Sequence, residues 1–195
     1  MLQLDAALFK LINQTLSAEW MDGWMIFCSS QFGWLPLYGL LIYLLFRHQS
    51  WKQGAVSVLL LVAAFGISDS FTSRVVKPYF QRQRPYMVES NLARLPEISA
   101  EEKSRFIQDN SNNYGFVSSH ASNFFAVMLL ASLLLNLKGY RKFILLLIAS
   151  LVAYSRVYLG KHYPLDVVCG GLLGCLIAIG LFVLYRRWIL PKLIH

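Results

Sequence analysis

LDVVCGGLLGCLIAIGLFVLY, residues Leu165–Tyr185, runs for 21 residues with one charged side chain, Asp166. At 1.5 Å of rise per residue, such a run is long enough to cross the roughly 30 Å hydrocarbon core of a bilayer. Four other stretches read the same way: Trp24–Phe46, Gly54–Val76, Ser118–Leu137 and Phe143–Leu159. Together they predict an all-α fold, a polytopic transmembrane helical bundle with five clear spans. Ser17–Phe32 leaves room for a sixth crossing. Composition agrees, since 56% of the 195 residues are hydrophobic, 14% are charged, and the mean hydropathy is +0.49. Ordinary soluble domains carry about 25% charged residues. The length suits one membrane-embedded domain over residues 1–195.

The flanks of these spans differ in character. Before the first, Leu4, Leu8, Leu11 and Ile12 recur at helical spacing among Asp5, Lys10 and Asn13, the pattern of an interfacial amphipathic helix. The opening Met1-Leu2-Gln3-Leu4-Asp5 lacks the basic start of a signal peptide. Between the second and third spans lies a long polar insert, Pro85–Gly115, and loops of this length carry function or disorder. Within it Ser99-Ala100-Glu101-Glu102 has the spacing of a capping box, which predicts a short surface helix to about Gln108. Cys28, Cys169 and Cys175 sit in apolar runs without metal-ligand spacing and read as small buried hydrophobes.

The net charge of +8 does not form a basic patch for nucleic acid. With five spans, one face receives Arg47, Lys52, Lys138, Arg141, Lys142, Arg186, Arg187 and Lys192, and no Asp or Glu. Excess Lys and Arg in short loops marks the cytoplasmic side. The opposite, outer face then carries the N-terminus, the region Lys77–Val117 and the Arg156–Pro164 loop.

Three clusters fall on that outer face. Lys77-Pro78-Tyr79-Phe80-Gln81-Arg82-Gln83-Arg84-Pro85 closes the second span; alone, it reads as snorkelling cations at a helix end. Val117-Ser118-Ser119-His120 opens the third span. Ser118 or Ser119 can cap that helix, and its free N–H groups make an anion site beside His120, which is placed to donate a proton. Ser155-Arg156 and His162-Tyr163-Pro164-Leu165-Asp166 flank the last loop. Pro164 suits the first turn of the fifth span and puts Asp166 within reach of His162. A carboxylate that accepts Nδ1–H leaves Nε2 free to attack. Plainer readings exist for the parts, such as an Arg156–Asp166 ion pair or His162 as an interfacial aromatic. The convergence is more informative: three cations, two histidines and one carboxylate suit a tetrahedral oxyanion.

Lys-x6-Arg-Pro, then Ser-x-His, then Ser-Arg-x5-His-x3-Asp, in this order over Lys77–Asp166, resembles the type 2 phosphatidic acid phosphatase (PAP2) superfamily. The resemblance implies that Lys77, Arg84 and Arg156 hold the phosphate oxygens, helped by Ser118 and the backbone N–H of Ser119. His162, oriented by Asp166, would attack phosphorus and form a phosphohistidine. His120 would protonate the leaving oxygen and then activate water. No metal and no cofactor are implied. The family's usual second motif is Pro-Ser-Gly-His, whereas Val117 and Ser119 stand here in place of Pro and Gly.

Outside the motifs, Asp69 lies within a span, where an ionisable residue is costly. It is expected to pair with Arg74 or to orient the outer cations. Gly170, Gly171 and Gly174 form a small-residue face for close helix packing. Arg82 and Lys161 are either head-group contacts or solvated charges.

The resulting expectation is a metal-independent lipid phosphatase of the bacterial cytoplasmic (inner) membrane, facing the periplasm or exterior. Its substrate would be a lipid phosphate or diphosphate, undecaprenyl diphosphate first. Lipid A and phosphatidylglycerophosphate or phosphatidate are the alternative substrates. A non-enzymatic anion-binding or transport protein would place several ionisable groups at mid-membrane depth, and only Asp69 does so. Haloperoxidase chemistry on the same motifs fits a soluble chain better than five apolar spans. Oligomeric state is not legible.

Overall fold

The computed structural model describes residues 2–89, 93–109 and 113–194, and every regular element among them is helical. Residues 90–92 and 110–112 of the expected long insert lie outside the described residues. In chain order the helices are α1 (Leu2–Lys10), α2 (Glu19–Ser29), α3 (Leu35–His48), α4 (Trp51–Phe71), α5 (Lys77–Phe80) and α6 (Pro85–Val88). They continue with α7 (Ala100–Asp109), α8 (Ser119–Leu134), α9 (Gly139–Tyr158), α10 (Pro164–Leu184) and α11 (Leu190–Ile194). Wider π-type turns extend α1 through Leu11–Thr15, join α4 to α5 through Thr72–Val76, and join α10 to α11 through Tyr185–Ile189.

Three of the expected spans need correction or qualification. Trp24–Phe46 is not one helix, because α2 and α3 meet at a 74° bend. Ser30 turns extended, and Pro36 sits in the first turn of α3, where its missing N–H costs nothing. By length and apolarity, the helical segments Trp51–Val88 and Pro164–Leu193 suffice to cross a bilayer, and the bent pair makes a third. Helix α8 is apolar but has 16 residues, and α9 has 20 but carries Arg141, Lys142 and Arg156.

Helix α8 is the centre of the bundle. It is apolar on all sides and buried along nearly its whole length, packing against α4, α9 and α10. The α8–α10 contact is close because α10 offers glycine. A Cβ at Gly170 would stand 2.6 Å from the carbonyl oxygen of Ser118, and one at Gly174 would stand 2.2 Å from that of Ser122. Gly171 meets the Phe125 ring, so the expected small-residue face is present. Between α4 and α8 small hydroxyls join, Ser68 Oγ with Ser122 Oγ at 2.6 Å and Thr72 Oγ1 donating to Ser119 Oγ at 2.8 Å. Apolar surface gives no driving force between helices in lipid, so close packing and such bonds hold them.

Helix α1 departs from its expected arrangement on one face. Leu4, Leu8 and Leu11 do face outward, but Asp5, Phe9 and Asn13 are buried against the bundle. The Asn13 amide donates to the carbonyls of Arg94 and Tyr158 (2.9 and 2.7 Å) and accepts from the Arg94 N–H (2.8 Å). The N-terminal segment is therefore stitched to the loop and to the end of α9. The surface helix of the insert forms as α7, where Ser99 Oγ donates to Glu102 Oε2 (2.8 Å) and accepts from the Glu102 N–H (3.4 Å).

Candidate active site

All three motif clusters meet at one end of the bundle. Lys77 begins α5, Gln81 turns the chain in a left-handed conformation (φ 47°), and Arg84 precedes Pro85 at the start of α6. Ser118 caps α8, its Oγ accepting from the Ala121 N–H at 3.5 Å, and His120 lies in the first turn. Arg156 lies in the last turn of α9, and His162 sits in the short loop before Pro164. Lys77, Arg84, Ser119, His120, Arg156, Lys161 and His162 line one polar cavity of about 380 Å³. Asp166 and Ser118 do not line it. Both are fully buried behind its wall, with the Ser118 N–H donating to the Asp166 carbonyl at 2.9 Å.

His162 is enclosed, with Nε2 3.5 Å from Arg84 Nη1 and Nδ1 3.6 Å from Asp166 Oδ2. The second distance is just beyond a hydrogen bond, and Nδ1 has no other partner among the described residues. Desolvation by burial holds His162 well below the usual histidine range, and Arg84, Arg156 and Lys77 push it further the same way. The imidazole is therefore neutral at physiological pH, with its lone pair available on one nitrogen. Asp166 is itself fixed from two sides. Arg82 Nη1 donates to Oδ1 at 2.6 Å, and the Tyr163 N–H donates to Oδ2 at 2.9 Å.

The two cavity arginines are held by neutral partners. Arg84 Nε donates to the Asn113 carbonyl (2.9 Å) and Nη2 to Asn113 Oδ1 (2.8 Å). Arg156 Nη1 donates to Ser29 Oγ, and its buried Nε has no partner among the described residues. Asp69 lines the same cavity and accepts from Asn123 Nδ2 at 3.1 Å. Arg74 is exposed, and no Asp69–Arg74 ion pair exists among the described residues. Ser119 has helical backbone, so its Cβ in place of the family's Gly meets no left-handed strain.

A cation-lined pocket whose walls come from the Lys-x6-Arg-Pro, Ser-x-His and Ser-Arg-x5-His-x3-Asp segments is what a phosphate site of this type requires, and the sequence pattern of the PAP2 superfamily matches residues 54–190. The chain belongs to the PAP2 superfamily. It is 28% identical to a lipid A 4′-phosphatase of Bacteroides thetaiotaomicron over 171 residues, covering 88% of this chain and 72% of that one. A lipid A 4′-phosphatase of Porphyromonas gingivalis is 26% identical over 192 residues, 96% and 77% of the two chains. An undecaprenyl-diphosphatase of Sulfolobus acidocaldarius is 30% identical over 173 residues, 87% and 73%. These relatives are named as phosphatases of lipid A and of undecaprenyl diphosphate, and the apolar helices of this chain suit a membrane.

Several residues of this PAP2 site escape a motif reading. Ser29, Asn113 and Gln31 come from segments with no motif, and only the fold brings them to the cations. Arg82, inside the first motif, turns away from the cavity to pair with Asp166 and Asp5. Lys161 lines the cavity and pairs with Glu97 of the insert. An acidic residue in a mostly apolar N-terminal helix was the one available signal for Asp5. Beside the polar cavity lies a second, apolar one of about 350 Å³, between α3, α4 and α8, lined by Phe32, Tyr38, Phe65 and Phe124 among others. Gln31 and His120 belong to the walls of both.

Proposed function

We propose that the protein hydrolyses a lipid phosphate or diphosphate through a phosphohistidine on His162, at the outer face of the membrane. The observation that carries this reading is the adjacency of the cation-lined cavity and the apolar cavity across His120 and Gln31. A phosphate head and an apolar chain need those two environments side by side. Lys77, Arg84, Arg156 and the Ser119 N–H hold the equatorial oxygens, with Ser118 fixing the turn that presents that N–H. His162 Nε2 attacks phosphorus while the bond to the leaving oxygen breaks, and His120 supplies the proton that oxygen takes. Asp166 steadies the imidazolium that forms. His120 then takes a proton from water, the water oxygen attacks, and the P–N bond breaks to release inorganic phosphate. Fixed cations aimed at spreading charge are the main catalytic device in phosphoryl transfer.

Undecaprenyl diphosphate is the first substrate to test, since a relative at 30% identity is named for it. Lipid A bearing a 4′-phosphate is the second, on the names of two further relatives. Phosphatidylglycerophosphate and phosphatidate complete the panel. The topology we propose has five crossings: the bent α2–α3 pair, α4, α8, α9 and α10. The eight basic, acid-free loop residues at the end opposite the cavity support a cytoplasmic assignment for that end. The chain would then sit in a bacterial cytoplasmic membrane as one domain.

Phosphate release from the four lipids by purified protein in detergent, with and without EDTA, tests the reaction. The expected result is turnover unaffected by EDTA, an acid-labile phosphoenzyme, and loss of both in His162→Gln. Near-normal turnover in that variant would remove His162 as nucleophile. Membrane-impermeant labelling of a cysteine placed between residues 97 and 108 should report the exterior, and labelling from the cytoplasm sinks the orientation.

A further inference from the structure

We infer that Asp5 and Arg82 are positioning residues for the reaction, so that helix α1 works as part of the active site and not only as an interfacial anchor. The inference rests on the reading of His162 as nucleophile and Asp166 as its partner.

The Arg82 guanidinium forks between two carboxylates. Nη1 donates to Asp166 Oδ1 at 2.6 Å and Nη2 to Asp5 Oδ2 at 2.5 Å. The other oxygen of Asp5, Oδ1, accepts the Leu165 N–H at 2.9 Å, one residue before Asp166. Asp5 therefore grips both the guanidinium that pins Asp166 and the backbone that carries it. With Oδ1 taken by Arg82 and Oδ2 by the Tyr163 N–H, the Asp166 carboxylate cannot rotate. Oδ2 is left facing His162 Nδ1 at 3.6 Å. Arg82 also lies over the Tyr163 ring, 4.4 Å from its centroid, which fixes the guanidinium plane.

Charge gives the arrangement a purpose beyond docking. Arg82 with Asp166 alone would be a neutral pair, and Asp166 would have little field left for its histidine. Asp5 makes the three-residue cluster net negative. His162 must gain positive charge as it attacks, in a pocket that already holds Arg84, Arg156 and Lys77. At short range in a partly dry site that repulsion is substantial, and a net anionic cluster behind the ring offsets it. Docking alone does not call for such a cluster. Burying charges costs desolvation, and Phe9 already packs α1 against Tyr163 edge-on, with ring centroids 5.4 Å apart.

The experiment is a double-mutant cycle on the full chain in detergent, with undecaprenyl diphosphate and phosphatidate as substrates. Asp5→Asn keeps the side-chain shape and removes the charge. Its kcat should fall about tenfold with KM within about twofold, the size of a single coupled interaction. In an Asp166→Asn background the same change should cost less than about twofold, because Asp5 acts through Asp166. Unchanged kcat in Asp5→Asn, or an equal fractional loss in both backgrounds, overturns the proposal and leaves α1 a tether. Near-normal turnover in Asp166→Asn and His162→Gln would instead overturn the underlying mechanism. If Asp5→Asn gives no monodisperse protein, Arg82→Lys replaces it. That variant keeps the net charge but loses the two-pronged grip. A loss confined to kcat supports the inference, and wild-type kcat overturns it.

Discussion

The strap that α1, α2 and Arg94 form around the end of α9, and the polar cavity at the same end of the bundle, use the same kinds of side chain in opposite ways. In the strap each arginine has its carboxylate: Arg82 bridges Asp5 and Asp166, and Arg94 forks onto Asp22 at 2.8 and 2.6 Å. Tyr158 Oη adds a bond to Asp22 at 2.7 Å, and Asn13 ties in the backbone. In the cavity, Lys77, Arg84 and Arg156 form no ion pair among the described residues. Arg84 and Arg156 instead lean on an amide and a hydroxyl. Positive charge that is buried and not neutralised raises the free energy of the empty site, and an arriving phosphate relieves that cost. On the proposed mechanism the unpaired cations wait for substrate, while the paired arginines of the strap build the fold.

Exchanging the two kinds tests the contrast most severely. Arg156→Gln should lower kcat/KM by about 10²–10³, the effect of losing one transition-state donor, while the thermal midpoint stays level or rises because a buried unpaired cation is gone. Arg94→Gln should do the reverse. It should cost about 1 kcal/mol of stability, modest because the pair is partly exposed, with turnover per folded molecule nearly intact. A silent but stable Arg94→Gln, or an active but unstable Arg156→Gln, erases the distinction.

Deeper in the bundle neither kind of charge is available, and cohesion comes from close approach. Gly174→Ala would drive a methyl group to 2.2 Å from the Ser122 carbonyl oxygen. Backbone must part, so a loss of about 2–3 kcal/mol is expected in thermal unfolding. Gly180 lies on the same helix with nothing within 4 Å of its Cβ position. Gly180→Ala should be neutral or stabilising by up to about 1 kcal/mol. Equal responses would mean that the α8–α10 seam does not carry the packing.

Acid should loosen the outer end and leave the seam alone. His162 is held well below the ordinary histidine range by burial and by its cationic neighbours, while the unfolded chain titrates near about 6.5. Between those values the unfolded state binds a proton that the folded state refuses. This term is therefore silent above about pH 6.5, and stability falls as pH drops below it. His162→Gln removes the term. The stability of wild type relative to the variant should thus fall as the pH is lowered from about 7.5 to about 5. A constant difference would show that the folded His162 takes up a proton as readily as the unfolded one.

How much of this was legible in the sequence depends on the kind of contact. Lys77, Arg84, Ser119, His120, Arg156 and His162 could be gathered in advance, because helical spans have only two ends and motif spacing survives in the chain. The glycines at 170 and 174 were readable for a similar reason, since a four-residue interval returns to the same helix face. The partners Ser29 and Asn113 were not, because a hydroxyl at a helix end or an amide in a loop looks the same whether it meets an arginine or water. The bend between α2 and α3 was hidden by apolar residues on both sides, although Pro36 stood inside the window. The spacing of Leu4, Leu8 and Leu11 gives the outward face of α1 correctly, but the pattern of an interfacial helix does not show that the opposite face is buried. Inside a membrane protein that face can turn inward, and Asp5 and Asn13 do so because charged and amide partners await them.

Helix α7, on the insert outside both the strap and the seam, offers the mildest test. Its start depends on Ser99, which accepts the Glu102 N–H and donates to the Glu102 carboxylate, while the helix itself is largely exposed. Ser99→Ala should cost about 0.5–1 kcal/mol of local helix stability. Hydrogen exchange across residues 100–109 should then quicken about twofold to fivefold, the range such a loss allows when exchange follows local opening. The global midpoint should not move, since no strap or seam contact involves Ser99. Faster exchange that spread to α8 would mean that the insert shares the bundle's cooperativity. The boundary between the rigid outer end and its loop would then lie farther out than the ion pairs place it.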